Sequence, residues 1–184
     1  MNGRPKVLAA ILAVGAALAA CSHDSGVHVQ GLPTATPTVA VSSSPTGFPD
    51  ESQILAQYWA FFAVLAPASK ARAAQRLAML KTVATDPSLT RTLGGLAAAT
   101  AAGEMLYGKD ILRPEVVNVA GGTATIRDCQ DTSGFGRLKI ATGKKVTVGV
   151  KNTLATIVMK RGADGVWRVA TVENKAAGSC SAAA

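Results

Sequence analysis

Apolar positions in this chain change their spacing twice after an initial continuous run, and each change predicts a different kind of segment. From Val7 to Ala20 they are unbroken, behind a basic tip of Arg4 and Lys6. Residues 22–50 then carry few large apolar groups and include Leu32-Pro33-Thr34-Ala35-Thr36-Pro37-Thr38 and Ser42-Ser43-Ser44-Pro45-Thr46-Gly47. Such a stretch buries too little surface to offset the entropy of ordering and predicts a disordered linker. Asp50 or Ser52 can cap a helix that follows. Ile54, Leu55, Tyr58, Phe61, Phe62 and Leu65 recur at helical spacing, and Pro67 is expected to end that helix. A second helix is predicted after Ser69, with Ala73, Leu77, Leu80 and Ala84 inward. Lys70, Arg72, Arg76 and Lys81 then form its solvated face, a lipid or polyanion contact being the alternative. Asp86-Pro87 opens a third helix through Leu89, Leu93 and Leu96, and Gly94-Gly95 is expected to bend or break it.

From about Leu106 the period shortens toward two. Val117 and Val119 alternate before a Gly121-Gly122 turn, and Thr123 to Cys129 follows. A polar loop spans Gln130 to Thr142. Val146, Val148 and Val150 alternate next, then Leu154 to Lys160. A Gly162-Ala163-Asp164-Gly165 hairpin turn leads into Val166 to Glu173. Helices first and strands afterwards predict an α+β fold, with helices packed on one face of an antiparallel sheet.

The initial apolar run is about fourteen residues, short of the roughly twenty that span a bilayer. Its end, Leu18-Ala19-Ala20-Cys21, resembles the lipobox of a bacterial lipoprotein. The resemblance implies a signal peptide over residues 1–20, a diacylglyceryl group on the Cys21 sulfur, and a chain held outside the cytoplasm. Two acyl chains suffice for stable attachment, whereas one does not. An ordinary secretory signal and an uncleaved membrane anchor are the alternatives. Residues 21–50 would be the tether, spanning about 30 Å as coil and roughly 90 Å in polyproline II.

That address changes how the cysteines read. With Cys21 lipidated, Cys129 and Cys180 remain, and an oxidising compartment favours a disulfide between them. They lack a histidine partner for zinc and the spacing of a redox pair. The formal net charge is +8, and it stays positive once Arg4 and Lys6 leave with the signal. Outside a cell, a basic surface favours anionic headgroups and acidic polymers. Nucleic acid is not expected, because no aromatic-interleaved basic motif is present.

Residues 51–181 resemble the NTF2-like superfamily, in particular its secreted and lipoprotein members in actinobacteria. The similarity rests on Tyr58-Trp59, on Asp128-Cys129-Gln130-Asp131 and on Thr142-Gly143. It continues through Asp164-Gly165-Val166-Trp167-Arg168-Val169 to Gly178-Ser179-Cys180. It implies a cone, in which a curved sheet wraps a long N-terminal helix and leaves a pocket at the open end. Members of that superfamily include isomerases, dehydratases and non-catalytic binding proteins, so fold alone does not assign the activity.

Candidate chemistry is sparse. The only histidines, His23 and His28, fall in the tether, which removes the usual general base and zinc ligand from the domain. No G-x-S-x-G elbow occurs, and Gly136 to Lys145 lacks the spacing of a phosphate loop. Neither a metal nor a cofactor is expected. Strand alternation puts Ala124, Ile126 and Asp128 on one face. Asp128 then points toward the pocket mouth near Tyr58 or Tyr107, or it meets solvent or pairs with Arg127 or Arg168. Tyr58, Trp59 and Phe62, with Tyr107 and Asp128, are the candidate pocket residues, with core packing as the alternative for the aromatics. The expected function is non-catalytic: a membrane-tethered envelope lipoprotein binding a protein or an apolar ligand. One variant is a surface exclusion factor of prophage type. The alternative is a cofactor-independent isomerase or dehydratase using Asp128 and a tyrosine.

Overall fold

A computed structural model describes residues 47–48 and 50–181. Leu18 to Cys21, His23, His28 and nearly all of the segment expected to be a tether lie outside the described residues. Three helices come first: α1 (Glu51–Lys70), α2 (Ala73–Lys81) and α3 (Ser88–Ala101). Seven strands follow: β1 (Glu104–Tyr107), β2 (Pro114–Ala120), β3 (Thr123–Gln130), β4 (Gly136–Lys139), β5 (Lys145–Val148), β6 (Thr153–Arg161) and β7 (Trp167–Asn174). The class is the α+β arrangement that the spacing predicts, with helices packed on antiparallel sheet.

Helix α1 lies against β7, β1 and β2. Its Ile54, Tyr58 and Phe61 enter the core at the i, i+4, i+7 spacing that puts side chains on one helix face. Asp50 occupies the N-cap position, but its carboxylate pairs with Arg161 at 3.2 Å instead of capping. Pro67 does not stop the helix, which runs on to Lys70. Proline forfeits one backbone bond there, yet neighbours hold the last turn. Ser69 Oγ donates to the Ala66 carbonyl at 2.7 Å, and Arg76 Nε donates to the Ala68 carbonyl at 3.0 Å. Arg76 is accordingly buried rather than part of a solvated face. Its guanidinium also reaches the Ala71 carbonyl and Thr100, tying the C-terminal end of α1 to α2 and α3. Helix α3 passes through Gly94 and Gly95 unbroken, since Leu96 and Ala99 anchor it in the core beyond them.

The strands form two antiparallel sheets, β2-β3-β6-β7 and β1-β4-β5, where a single wrapped sheet was expected. The division falls after Gln130. Asp131 turns the chain by accepting from Ser133 N–H and hydroxyl, and the ladder resumes at Gly136. In the larger sheet Ile126 faces Ile157, which faces Val172. Bulges at Val116/Asn118 and Val158/Met159 add the local bend and twist that curve the sheet. Its inner face (Ala124, Ile126, Ala155, Ile157, Met159) packs on α1 together with Trp167 and Val169. The short strands β1 and β4 were not foreseen. Four residues offer too little alternation to read, and β4 lies in the segment expected to be a polar loop. β5 has the expected alternation, but its valines face outward, with Val148 56% exposed.

Candidate functional site

The inner face of β3 carries two polar side chains into the core. Ala124, Ile126, Asp128 and Gln130 are all buried. Asp128 is 1% exposed and Tyr58 fully buried. The Tyr58 hydroxyl donates to Asp128 Oδ2, and Gln130 Nε2 donates to the Tyr58 hydroxyl at 3.1 Å. The backbone N–H of Arg113 donates to Asp128 Oδ1 at 2.5 Å. Both carboxylate oxygens are therefore engaged. Burial, reinforced by the Asp128 hydrogen bond, holds the Tyr58 phenol well above the ordinary tyrosine range. Asp128 thus neither ends the strand in solvent nor pairs with Arg127 or Arg168.

Two cavities flank α1, and Phe62 and Phe135 contribute to the walls of both. One, of about 510 Å³, lies among α1, α3, β1 and β4. Phe61, Phe62, Leu65, Leu96, Leu106 and Val172 make it apolar, while Arg91 and Arg137 add guanidinium groups to its lining. Arg137 is paired with the buried Glu104 at 3.0 Å, and Lys139 also pairs with Glu104. The other, of about 530 Å³, lies between α1 and the connection after β1. Trp59, Phe62, Pro67, Leu112 and Phe135 surround Asp110 there. Neither cavity is lined by Tyr58 or Asp128.

Asp110 was not singled out from the sequence. It sits in Gly108-Lys109-Asp110, a connection without periodicity. Gly108 positions it: φ is +80°, and a Cβ there would lie 1.8 Å from the Gly134 carbonyl oxygen, so no other residue fits. Desolvation, with a smaller contribution from the Asp128 charge, raises the Asp110 carboxyl to a pKa of about 6.

The five candidate pocket residues thus separate into three groups. Tyr58 and Asp128 meet in the closed network. Trp59, 44% exposed, and Phe62 line cavities. Tyr107 belongs elsewhere: its hydroxyl donates to the Thr147 carbonyl at 3.1 Å, and Lys145 Nζ stands 5.0 Å from its ring centroid. Cys129 and Cys180 form a disulfide. Beside it, Arg113, Glu115, Arg127 and Asp128 border an outer depression of about 320 Å³. Among the described residues no His/Cys/Asp/Glu group is arranged to hold a metal ion.

No protein-family model matches the chain. No curated protein matches it either. Among solved structures it is similar to a ketosteroid isomerase-like protein from Erwinia carotovora atroseptica, at 15% identity and a TM-score of 0.45, over 68% of this chain and 94% of that one. It is similar to the intermembrane space region of the chloroplast protein ARC6, at 13% identity and a TM-score of 0.47, over 71% and 100%. A structure from Catenulispora acidiphila shares 13% identity at a TM-score of 0.40, over 68% and 93%.

Proposed function

We propose that this chain is a lipid-tethered envelope protein whose NTF2-like domain binds an apolar ligand without catalysis. The observation that carries the binding half is the 510 Å³ apolar cavity, which lies within the size range of small-molecule sites. Arg91 at its lining, which forms no ion pair among the described residues, favours a ligand with an acidic head, since guanidinium matches a carboxylate or phosphate with two parallel donors. Gly95 lines the same cavity, and a Cβ there would meet nothing within 4 Å. A Gly95→Leu side chain would therefore occupy the ligand's space without a backbone clash. It would also remove a helical glycine, which costs about 1 kcal/mol relative to alanine. We expect a fluorescent fatty acid to bind the parent saturably and Gly95→Leu about tenfold or more weakly, with no loss of melting temperature. Unaltered binding to Gly95→Leu would place the ligand elsewhere.

The tether half rests on Leu18-Ala19-Ala20-Cys21, and a disulfide between Cys129 and Cys180 agrees with an oxidising compartment. Cys21→Ala is expected to shift the protein from the membrane fraction to a secreted or uncleaved form. Retention in membranes equal to the parent would rule out lipidation as the anchor.

One observation favours the enzymatic reading, namely the hydrogen bond between Tyr58 and Asp128. A general base must reach the proton it removes. Asp128 lines neither cavity beside α1, bordering only the outer depression, and its two oxygens are already engaged. Binding is the better supported of the two.

A further inference from the structure

Unlike its apolar neighbour, the 530 Å³ cavity beside α1 has a carboxylate in its lining, that of Asp110. Asp110 Oδ1 is buried and has no hydrogen-bond partner among the described residues. Leaving a buried acceptor unpaired is unfavourable, and more so for a charged group. The walls around it are aromatic and aliphatic: Trp59, Phe62, Phe135, Pro67 and Leu112. Aromatic faces attract cations through the ring quadrupole, and a carboxylate supplies the counter-charge and the hydrogen-bond acceptor. Trp59 stands partly in solvent on the same cavity, which leaves a way in.

We propose that this cavity is a binding site for an organic ammonium ion, with an N–H donating to the Asp110 carboxylate and the apolar body held by Trp59, Phe62 and Phe135. The site is separate from the cavity assigned to the apolar ligand. It also draws a different charge, since Arg91 and Arg137 belong only to that other lining.

The charged and titratable neighbours of Asp110 are few. Lys109 lies beside it on the same connection and lines the cavity, but is exposed and forms no ion pair with it. The Asp128 charge on β3 acts on Asp110, and the Asp110 charge acts on Tyr58 of α1. Arg113 closes the connection and directs its side chain to the Cys129 carbonyl. Asp128 adds negative potential that disfavours an ionised Asp110 and favours a bound cation. The Asp110 pKa of about 6 fixes the sign of the pH dependence. Above it the carboxylate is present to receive an ammonium, and below it the acid is neutral.

The test is calorimetric titration of the purified full chain with benzylamine and with benzyl methyl ether, a neutral analogue that cannot donate. Benzylamine stays protonated across the pH range used. At pH 7.5 it is expected to bind about tenfold or more tightly than the ether. At pH 5 its affinity is expected to fall about tenfold, the change in ionised Asp110 for a carboxyl near 6. Asp110→Asn keeps the shape and is expected to remove both the preference for the amine and its pH dependence, while Trp59→Ala weakens the amine at either pH. The pH profile of the parent reads the same group without a substitution. Equal affinity for amine and ether, a flat pH profile, or undiminished amine binding to Asp110→Asn would each overturn the assignment. So would the absence of saturable benzylamine binding to the parent at pH 7.5.

Discussion

Replacing Asp128 with alanine is expected to lower folding stability by about 3 kcal/mol, because it removes at once the acceptor for a buried phenol and for a part-buried backbone N–H and leaves a void in the core. The Tyr58 hydroxyl and the Arg113 N–H both end on this carboxylate. The phenol cannot turn to water, since Tyr58 is fully buried, whereas the Arg113 N–H lies nearer the surface. A void in a close-packed interior forfeits contacts outright. Asp128→Asn is expected to be milder. Its remaining oxygen can keep the Arg113 bond, and its amide can donate to the Tyr58 oxygen. The phenolic hydrogen then needs a new acceptor, which a turned Gln130 amide can provide. Tyr58→Phe should fall between the two, since it strands one carboxylate oxygen and the Gln130 donor while keeping the ring packed against Phe62 at 5.0 Å. Urea denaturation of the three variants checks the order. An Asp128→Ala midpoint equal to that of the parent would show that the network adds nothing to stability. It would then reopen the reading of Asp128 as a functional acid.

That network also shows where local pattern runs out. The stripe Ile54, Tyr58, Phe61 and the alternation Ala124, Ile126, Asp128 are both legible in the chain, because helix and strand periods are local geometry. Their meeting is not. Tyr58 and Asp128 lie 70 residues apart, and nothing in either segment states that one will face the other. The same limit explains Arg76 and Pro67. A basic residue on a helix reads as solvated, and a proline reads as a stop. Here the arginine caps the α1 carbonyls that follow the proline. Asp110 was invisible for another reason: its raised pKa arises from desolvation by groups distant in sequence. The turn at Gly162 to Gly165 was legible in full, since Gly162 N–H donates to the Val166 carbonyl at 2.9 Å across it.

Opening the Cys129–Cys180 bond is the other change expected to have a large effect. The two cysteines are 51 positions apart, and closing a loop of that length removes about 4 kcal/mol of unfolded-chain entropy. For a domain of this size the corresponding drop in melting temperature is about 15 °C. Where the loss is felt follows from the fold. Cys129 sits on the face of β3 opposite Asp128, so the core network does not depend on it. Cys180 lies beyond β7 in a segment held by backbone hydrogen bonds at the entry to β6, where Cys180 N–H donates to the Asn152 carbonyl at 3.3 Å and Gly178 N–H to the Lys151 carbonyl at 3.4 Å. Lys175 N–H donates to the Leu154 carbonyl at 2.9 Å, and the Ser179 hydroxyl accepts from Leu154 N–H at 2.8 Å. That segment contributes no side chain to the core cluster. Reduction should therefore free the C-terminal end while leaving β2, β3, β6 and β7 paired. Such local release dissipates part of the entropic gain, making the 4 kcal/mol an upper figure. Thermal melting with and without reductant, beside a Cys129→Ser/Cys180→Ser double variant, separates the bond from side effects of the reagent. The double variant should melt as the reduced parent does and should not respond to reductant. Identical melting of oxidised and reduced parent would mean that the crosslink constrains an end already held by those hydrogen bonds.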